Sequence, residues 1–495
     1  MAIRARLSPP QPQREEWPWH QAKSASLPAS LCMAGDRRME AENYIARGYG
    51  IRLSIEARPA GWTRMGQVAR VWQPSRLKGI QVSADYGIPF LTATQVFDLR
   101  FSPRKWLAIE RTPNASDRFA QPGTILVTCS GNVGRATIAY KPHQNVLISH
   151  DILRVETLND HWWGWLYAYL RSPQARAMMK ASQYGHIIKH LETTHLNALP
   201  IPIPQNSLLE HFERQIHNIL DMRTRAYGLI LEAEAHFEGC LGSLPEIHNG
   251  ESGFSVPASR SLFNGRRRFD ALPHDPLVKA IREHLSINGK GFTTLSEAGY
   301  TVWLPTRFRR IPAEEGVALL DSSDLFEINP DISKRIADGH FGDQFRGRVE
   351  RGWLLLSRSG QVYGLIGTLT LATAAHEEHV ISDHVIRIAA SKSAIIRPAY
   401  ALIALSHPSL GRPLMKALAY GSSIPEIEVT DVARTQVVRL NTMDEDAIAD
   451  SAEEASALYA EADLLENAIS AEASEIIDRF ISGQNGQAIM TAFPA

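Results

Sequence analysis

The chain repeats itself, and no other feature constrains its fold as strongly. Val71 to Lys78 (VWQPSRLK) recurs as Val302 to Arg309 (VWLPTRFR). Phe90 to Asp98 matches Leu319 to Glu327, and Gly123 to Gly134 matches Gly352 to Gly364 with one residue added. Ile148 to Val155 (ISHDILRV) matches Ile381 to Ile388 (ISDHVIRI). Met179-Lys180 and Tyr184-Gly185 match Met415-Lys416 and Tyr420-Gly421. The offset drifts slowly, from 229 between Leu91 and Leu320 to 236 between Tyr184 and Tyr420. Ordered matches at one drifting offset are a tandem duplication covering most of residues 62–481.

Each copy predicts one mixed α/β globule of about 140 residues, close to the commonest domain size. A turn-rich entry leads into short β-branched runs such as Thr124–Thr128 and Asn145–Val155. A helical stretch, Trp162–Ser182, follows. The exit Pro200-Ile201-Pro202-Ile203-Pro204 is too rich in proline for a helix and predicts an extended segment.

A long helix follows each globule. Leu209, Phe212, Ile216, Ile219, Arg223, Ala226, Ile230, Ala233, Phe237 and Cys240 alternate by threes and fours. Ile448, Ala452, Ala455, Tyr459, Ala462, Glu466, Ile469, Ala473, Ile476 and Phe480 do the same. A 3.5-residue seam of this length is a coiled-coil pattern. Packing of each helix on its own globule is the other solution, but two helices of matching length favour mutual pairing. The strong charges in the seams are Arg223 and Glu466. If the helices run antiparallel with Leu209 opposite Phe480, these two fall at one level, as a register pair. The alternative is that both snorkel to solvent.

The predicted organisation is a disordered leader over 1–50, a first domain over 51–204, and a first coiled-coil helix over 205–245. A linker and entry to the second half cover 246–292, with a second domain over 293–440, a second helix over 441–482, and a tail over 483–495. Met33 and Met39 are candidates for alternative starts.

Charge is segregated. The 52 basic and 53 acidic residues nearly cancel. Residues 62–204 nevertheless carry a net +8, residues 305–440 only +1, and residues 441–495 −11. A basic module suits a polyanion, since each phosphate neutralised releases counterions; an unevenly charged solvated surface gives the same count. No apolar run reaches the ~18–20 residues of a membrane helix, so no membrane partner is expected. Three scattered cysteines and no apolar leader segment predict a reducing, cytoplasmic location.

Catalytic chemistry is hard to find. Ser149-His150-Asp151 and Ser382-Asp383-His384 contain triad residue types, but neighbours on a strand face opposite ways. Cys129 has Arg358 as its repeat partner, and His376-Glu377-Glu378-His379 has the wrong spacing for a zinc motif. His186, His190 and His195 match Ser422, Glu426 and Asp431. No catalytic and no metal residues are predicted, so a binding protein is favoured over an enzyme.

Two α/β modules, each followed by a long helix, resemble the specificity (S) subunits of type I restriction–modification systems. Pro122 to Gly134 is similar to that family's GDIL…SRSG.IG segment, with Thr124 where Asp is usual, and Gly352 to Gly360 is similar to its SRSG part. Leu196 to Pro204 is similar to its L..I.IP.P exit, whose prolines the second copy lacks over 434–440. The resemblance covers about residues 62–481. It implies an α+β fold: two target recognition domains, each reading half of a bipartite target in double-stranded DNA, held apart by helices paired as an antiparallel coiled coil. It also implies DNA methyltransferase (M) subunits as partners and possibly a restriction/translocase (R) subunit. S-adenosylmethionine, and ATP with magnesium, would be bound by those partners and no cofactor by this chain.

Base and phosphate contacts need donors and acceptors on loops. Under the resemblance, the loops shared by both modules supply candidates. These are Arg76 and Lys78 with Arg307 and Arg309; Thr92, Thr94 and Gln95 with Ser322 and Ser323; and Tyr184, His186 and Lys189 with Tyr420 and Ser422. Each is equally readable as an ordinary exposed polar residue. Rival functions are a specificity subunit of another bacterial defence or modification system, a stand-alone DNA-modifying enzyme, and a coiled-coil scaffold without a DNA role.

Overall fold

The structure, a computed structural model, describes residues 29–33, 41–76, 79–101, 103–111, 114–183, 189–245, 253–259, 268–338 and 347–483. Lys78, Tyr184 and His186 lie outside them, as do most of the leader and tail and part of the linker.

The first half begins with helix α1 (Arg47–Glu56) and strand β1 (Trp62–Arg64), followed by β2 (Ala69–Trp72), β3 (Ile125–Thr128), β4 (Ala136–Ile138) and β5 (Ile152–Thr157). Helices α2 (Trp163–Arg171) and α3 (Pro173–Ser182), strand β6 (Pro200–Pro202) and the long helix α4 (Asn206–Leu241) complete it. The second half repeats this with α5 (Pro276–Asn288), β7 (Phe292–Thr294), β8 (Tyr300–Trp303), β9 (Leu354–Ser357), β10 (Leu369–Leu371) and β11 (Val385–Ala390). It ends with α6 (Pro398–Ser406), β12 (Gln436–Val438) and α7 (Thr442–Ser482).

The central sheets run β2-β5-β3-β4 and β8-β11-β9-β10, all antiparallel and in the same order. A smaller sheet lies under each and contains one parallel pair, Leu91 beside Ile148 in the first module and Leu320 beside Ile381 in the second. Strands β3 and β9 are almost wholly apolar because both faces are covered. Ile125 and Val127 face the helices while Leu126 packs into a separate core with the small sheet. Leu354 and Leu356 likewise oppose Leu355. This is the period-2 pattern of a strand between two layers.

The exit strands pair with the entry strands, β1 with β6 and β7 with β12. Aromatic side chains on the module helices satisfy the exit carbonyls: Trp165 Nε1 donates to Pro202 O at 3.0 Å and Tyr169 Oη to Pro200 O at 2.7 Å. In the second half Tyr400 Oη does this for Val438 O at 2.7 Å. The second exit strand, which lacks the prolines, is thus held by the same kind of bond as the first.

Helices α4 and α7 pack antiparallel. His211 meets Glu472 at 3.0 Å near one end and His236 meets Asp444 at 2.8 Å near the other. The first module's core continues onto Leu209–Ile219 and Ala462–Ile477, and the second module's onto Ala226–Leu241 and Ile448–Ala455. Each seam therefore serves two purposes, helix pairing and module docking. In the first module the docking is close. A Cβ on Gly164 would lie 2.3 Å from Glu213 N on α4.

Two segments differ from the sequence expectation. Residues 41–45 and 47–56 are helical, although the disordered leader was expected to reach residue 50. Ile55 is fully buried, and Gly48 sits where a Cβ would strike the Ala177 carbonyl on α3. The expected linker 246–292 contains α5, capped by Asp275 (Leu277 N donates to Oδ1 at 2.8 Å) with Pro276 at its start and Val278, Ile281 and Leu285 buried. Since α1 precedes β1 as α5 precedes β7, these two segments hold the same element, and the duplication begins one helix earlier than the sequence matches reveal.

Candidate nucleic-acid interface and central charge cluster

Four loops gather at one end of each central sheet. In the first module Gln73 Nε2 donates to His150 O at 2.6 Å, Cys129 N to Asp151 O at 3.0 Å, Leu191 N to Cys129 O at 2.8 Å, and Arg118 Nη2 to Ser75 O at 2.5 Å. In the second module Arg358 N donates to His384 O at 3.4 Å, Ile427 N to Arg358 O at 2.9 Å, and Arg310 Nη2 to Ser382 Oγ at 3.1 Å. This end carries exposed Arg76 and half-buried Lys189 in the first module. In the second it carries exposed Arg307, Arg309 and Ser422 and half-buried Tyr420, whose hydroxyl bonds Glu428.

The other candidate group has a different setting. Gln95 is buried, and its Oε1 accepts from Thr92 N at 3.3 Å and Thr92 Oγ1 at 3.1 Å. Thr92 is half-buried and Thr94 exposed. In the second module Asp321 N donates to Asp324 Oδ2 at 2.8 Å, with Ser322 half-buried and Ser323 exposed. Both turns close on themselves and feed segments that join the two modules.

The most faithfully repeated arginine does not face outward. Arg154 and Arg387 are fully buried, each guanidinium wrapped by carbonyls of the turn before its strand. Arg154 donates to Ser149 O at 3.1 Å, Ile152 O at 2.5 Å and Ile148 O at 3.0 Å; Arg387 donates to Ser382 O and Ile381 O, both at 2.8 Å. Burial draws their ionisation down, to about 10 for Arg154 and about 9 for Arg387. They fix the turns to which Gln73 and Arg310 bond, beside the loops that carry the exposed cations. Their repetition alone did not mark them as buried, since the exposed pair Arg76 and Arg307 recurs as exactly.

A charge cluster sits midway along the helix pair. The structure brings Arg223 and Glu466 together as a bidentate pair, Nη1 to Oε1 at 2.9 Å and Nη2 to Oε2 at 3.0 Å, both buried. Arg223 also reaches Asp463 at 2.7 Å, and Arg171 lies 3.3 Å from Glu466. Tyr167 donates its hydroxyl to Glu466, and Asn329 of the second module donates Nδ2 to Glu466 at 2.5 Å and its backbone N–H to Asp463 at 2.9 Å. Burial alone would push Glu466 up, but Arg171 and Arg223 outweigh it and hold the carboxyl at about 2. Tyr167, Arg171 and Asn329 were not anticipated, because they come from elements far in sequence from both long helices; Asp463 was missed although it lies on α7 one turn from Glu466, because it stands outside the apolar seam.

At the far end of the pair, His236, Cys240 and Asp444 bring nitrogen, sulfur and oxygen atoms within 4.8 Å, the one such grouping found among the described residues. Among those residues no helix is long and apolar enough to cross a membrane.

No protein-family model matches the sequence, and no curated protein does. Solved structures do. The S subunit of a type I restriction–modification system from M. genitalium is 12% identical over 87% of this chain and 97% of that one, with a TM-score of 0.29. The HsdS subunit from Thermoanaerobacter tengcongensis is 14% identical over 86% and 98%, with a TM-score of 0.25. These two structural neighbours, which cover most of the chain, are type I S subunits. A type IIG restriction endonuclease, BpuSI, is 14% identical over 34% of this chain and 28% of its own, at a TM-score of 0.27. The likeness to the S subunits is one of fold; what the loops and the charge cluster do is argued from this chain's own residues.

Proposed function

We propose that this chain is the DNA-specificity subunit of a type I restriction–modification complex. The observation that carries this reading is the presentation of one loop cluster twice. Two copies of one α/β module, docked at opposite ends of an antiparallel helix pair, each expose an arginine-bearing loop at the same end of the same sheet. A duplicated reader on one frame fits a target in two parts, because each module meets its own half-site while the frame sets their separation. Arg76, Lys189, Arg307 and Arg309 supply phosphate or guanine contacts. Methyl transfer to adenine, with S-adenosylmethionine, belongs to M subunits docked on this frame, and ATP- and magnesium-dependent translocation to an R subunit. The acidic faces of α4 and α7 are the surfaces offered to those proteins.

The test is co-expression with a cognate M subunit followed by long-read mapping of methylated adenine. The expected result is one bipartite motif, with one half changed when residues 62–204 are replaced by another module. Methyl transfer by the isolated chain would overturn the reading in favour of a stand-alone enzyme.

A further inference from the structure

The two modules touch, and the contact obeys the symmetry of the duplication. Leu99 N donates to Phe326 O at 2.8 Å, and Ile328 N donates to Phe97 O at 2.7 Å. Phe97 and Phe326 are repeat partners, as are Leu99 and Ile328, so each bond is the image of the other. Between them Asp98 and Glu327 face each other across an antiparallel bridge. An approximate twofold axis therefore passes through this two-strand contact.

Side chains reinforce it from both directions. Arg135 of the first module, nearly buried, lies 3.7 Å from the Phe97 ring centroid and reaches Glu327 Oε2 at 2.5 Å, Ile328 O at 3.2 Å and Asn329 O at 3.4 Å. Arg176 grips Asp331 through two nitrogens, Nη1 to Oδ1 at 2.5 Å, and Asn132 Nδ2 reaches the same carboxylate at 2.9 Å. The residue after each bridging segment then crosses to the other half. Arg100 bonds Ser406 Oγ at 2.9 Å and pairs with Glu234 on the part of α4 that carries the second module. Its repeat partner Asn329, in the left-handed region at φ 38°, bonds Glu466 and Asp463 on the part of α7 that carries the first.

We infer that this crossed brace between the modules, and not the helix pair alone, fixes the spacing and mutual rotation of the two half-sites. This rests on the specificity-subunit reading. Two antiparallel helices can bend and twist, whereas two modules joined at their helices and again to each other form a closed frame. Adding one base pair moves a half-site by ~3.4 Å and turns it by about a tenth of a helical turn. Hydrogen bonds tolerate far less than that before they break. A braced chain therefore accepts one spacer, and an unbraced chain accepts its neighbours. Arg135 and Arg176 are positioning residues here, acting through Glu327 and Asp331.

The experiment uses the full chain with its M partner. The brace is cut by Arg135→Ala with Arg176→Ala, and re-made by adding Asp98→Cys with Glu327→Cys. Opposed residues of a non-hydrogen-bonded antiparallel pair lie ~4.5 Å apart at Cα, within disulfide range. Spin labels at exposed Tyr86→Cys and Tyr363→Cys, both in one chain that lacks the cysteine lock, report the distance between modules. A target library of graded spacers reports selectivity. Cutting the brace is expected to broaden the distance distribution and relax preference for the single spacer at least tenfold. Oxidising the cysteine lock restores that preference, and reduction removes it. Circular dichroism confirms that each variant is folded. An unbroadened distance in the cut variant overturns the inference, as does broadening with unchanged spacer choice. Broadening with no methylation of any target by any form, wild type included, defeats the specificity reading and leaves the brace demonstrated.

Discussion

The two modules share a fold and differ in what they contribute to each other. The first carries a net +8 over residues 62–204 and the second +1 over 305–440. At their contact the first supplies the cations, Arg100, Arg135 and Arg176, while the second supplies Glu327, Asp331 and the carbonyls of Ile328 and Asn329. By sheet register the equivalent of Arg135 is Thr368, since Thr128 N donates to Arg135 O as Ser357 N does to Thr368 O, so Gly134 corresponds to Gly367 and not to Gly364. The repeat partner of Arg176 is Arg412, which turns inward to bond Thr368 Oγ1 at 2.6 Å. Part of the charge difference between the modules is therefore consumed inside the molecule. The basic surplus of a segment is a poor guide to its affinity for phosphate until its internal pairs are subtracted. Duplication gave two equal modules, and the contact between them made them unequal.

The comparison is broken most severely at the charge cluster midway along the helix pair, which the first module supplies with Tyr167 and Arg171 and the second with Asn329 alone. Arg223→Leu is expected to destabilise the chain by about 3–5 kcal/mol, because it leaves the buried Glu466 and Asp463 short of a cation. The double variant Arg223→Leu with Glu466→Leu should cost less than the two single changes summed, with Arg171 setting the remainder. Urea unfolding of the four-member cycle measures the coupling, and a zero value would reduce the pair to two adjacent side chains.

A second asymmetry lies in how tightly each module docks. Gly164 approaches the α4 backbone too closely for a Cβ, yet its repeat partner in α6 is Ala399, also fully buried. Gly164→Ala is expected to cost about 1–3 kcal/mol through overpacking. Ala399→Gly should cost about 1 kcal/mol by helix propensity and about 0.8 kcal/mol more for the lost buried methyl. Thermal unfolding of both variants decides; equal losses would mean that the modules dock alike.

Much of this architecture was legible in advance. The ordered matches located both modules, and the 3.5-residue seams located both long helices, because each signal repeats over many residues. The brace was not legible, although Phe97-Asp98 and Phe326-Glu327 stood in the match. A repeat shows that two segments are alike and says nothing of their touching. Helices α1 and α5 escaped for the opposite reason. Their sequences, built around Gly48 in one and Ile281 in the other, share no aligned match, although each packs on the equivalent helix of its own module and on one of the long helices. Arg154 and Arg387 were visible as repeats, but only the fold shows that they point inward.

A smaller effect contrasts the carboxyls of the two polar centres by the sign of their pH dependence. Glu466 is held at about 2, against an ordinary 4.5, so its contribution is complete above pH 4.5 and is lost as the pH falls toward 2. Asp98 behaves oppositely. Burial, then Glu327, raise it from 3.8 to about 7, with Arg104 and Arg135 pulling the other way. Its contribution is therefore complete below pH 3.8 and is lost as the pH rises through 7. Asp98→Asn should remove a decline in stability between pH 4 and 7 and leave the loss below pH 4.5 in place. Unfolding midpoints across pH 2–8 test this, and an unchanged profile in the variant would place Asp98 in contact with water.

The smallest effects are expected at the loops themselves, where Arg76 and Arg307 occupy equivalent exposed positions. An exposed arginine gains little from the folded state, so Arg76→Ala and Arg307→Ala should leave the unfolding midpoint within experimental error. Their loss should appear only with DNA present. If each meets one phosphate, each substitution lowers the slope of log affinity against log salt by about 0.9, and the two effects add. If one instead meets a guanine edge, its removal also relaxes the preferred base at a single position in its own half-site. Gln95→Ala supplies the contrast, because its buried side chain closes the turn feeding the brace; it should lower stability without changing the salt slope. Fluorescence anisotropy with the assembled complex over a range of salt separates these outcomes. Should Arg76→Ala lower the slope while Arg307→Ala does not, the inequality between the modules extends from their shared contact to the DNA surface.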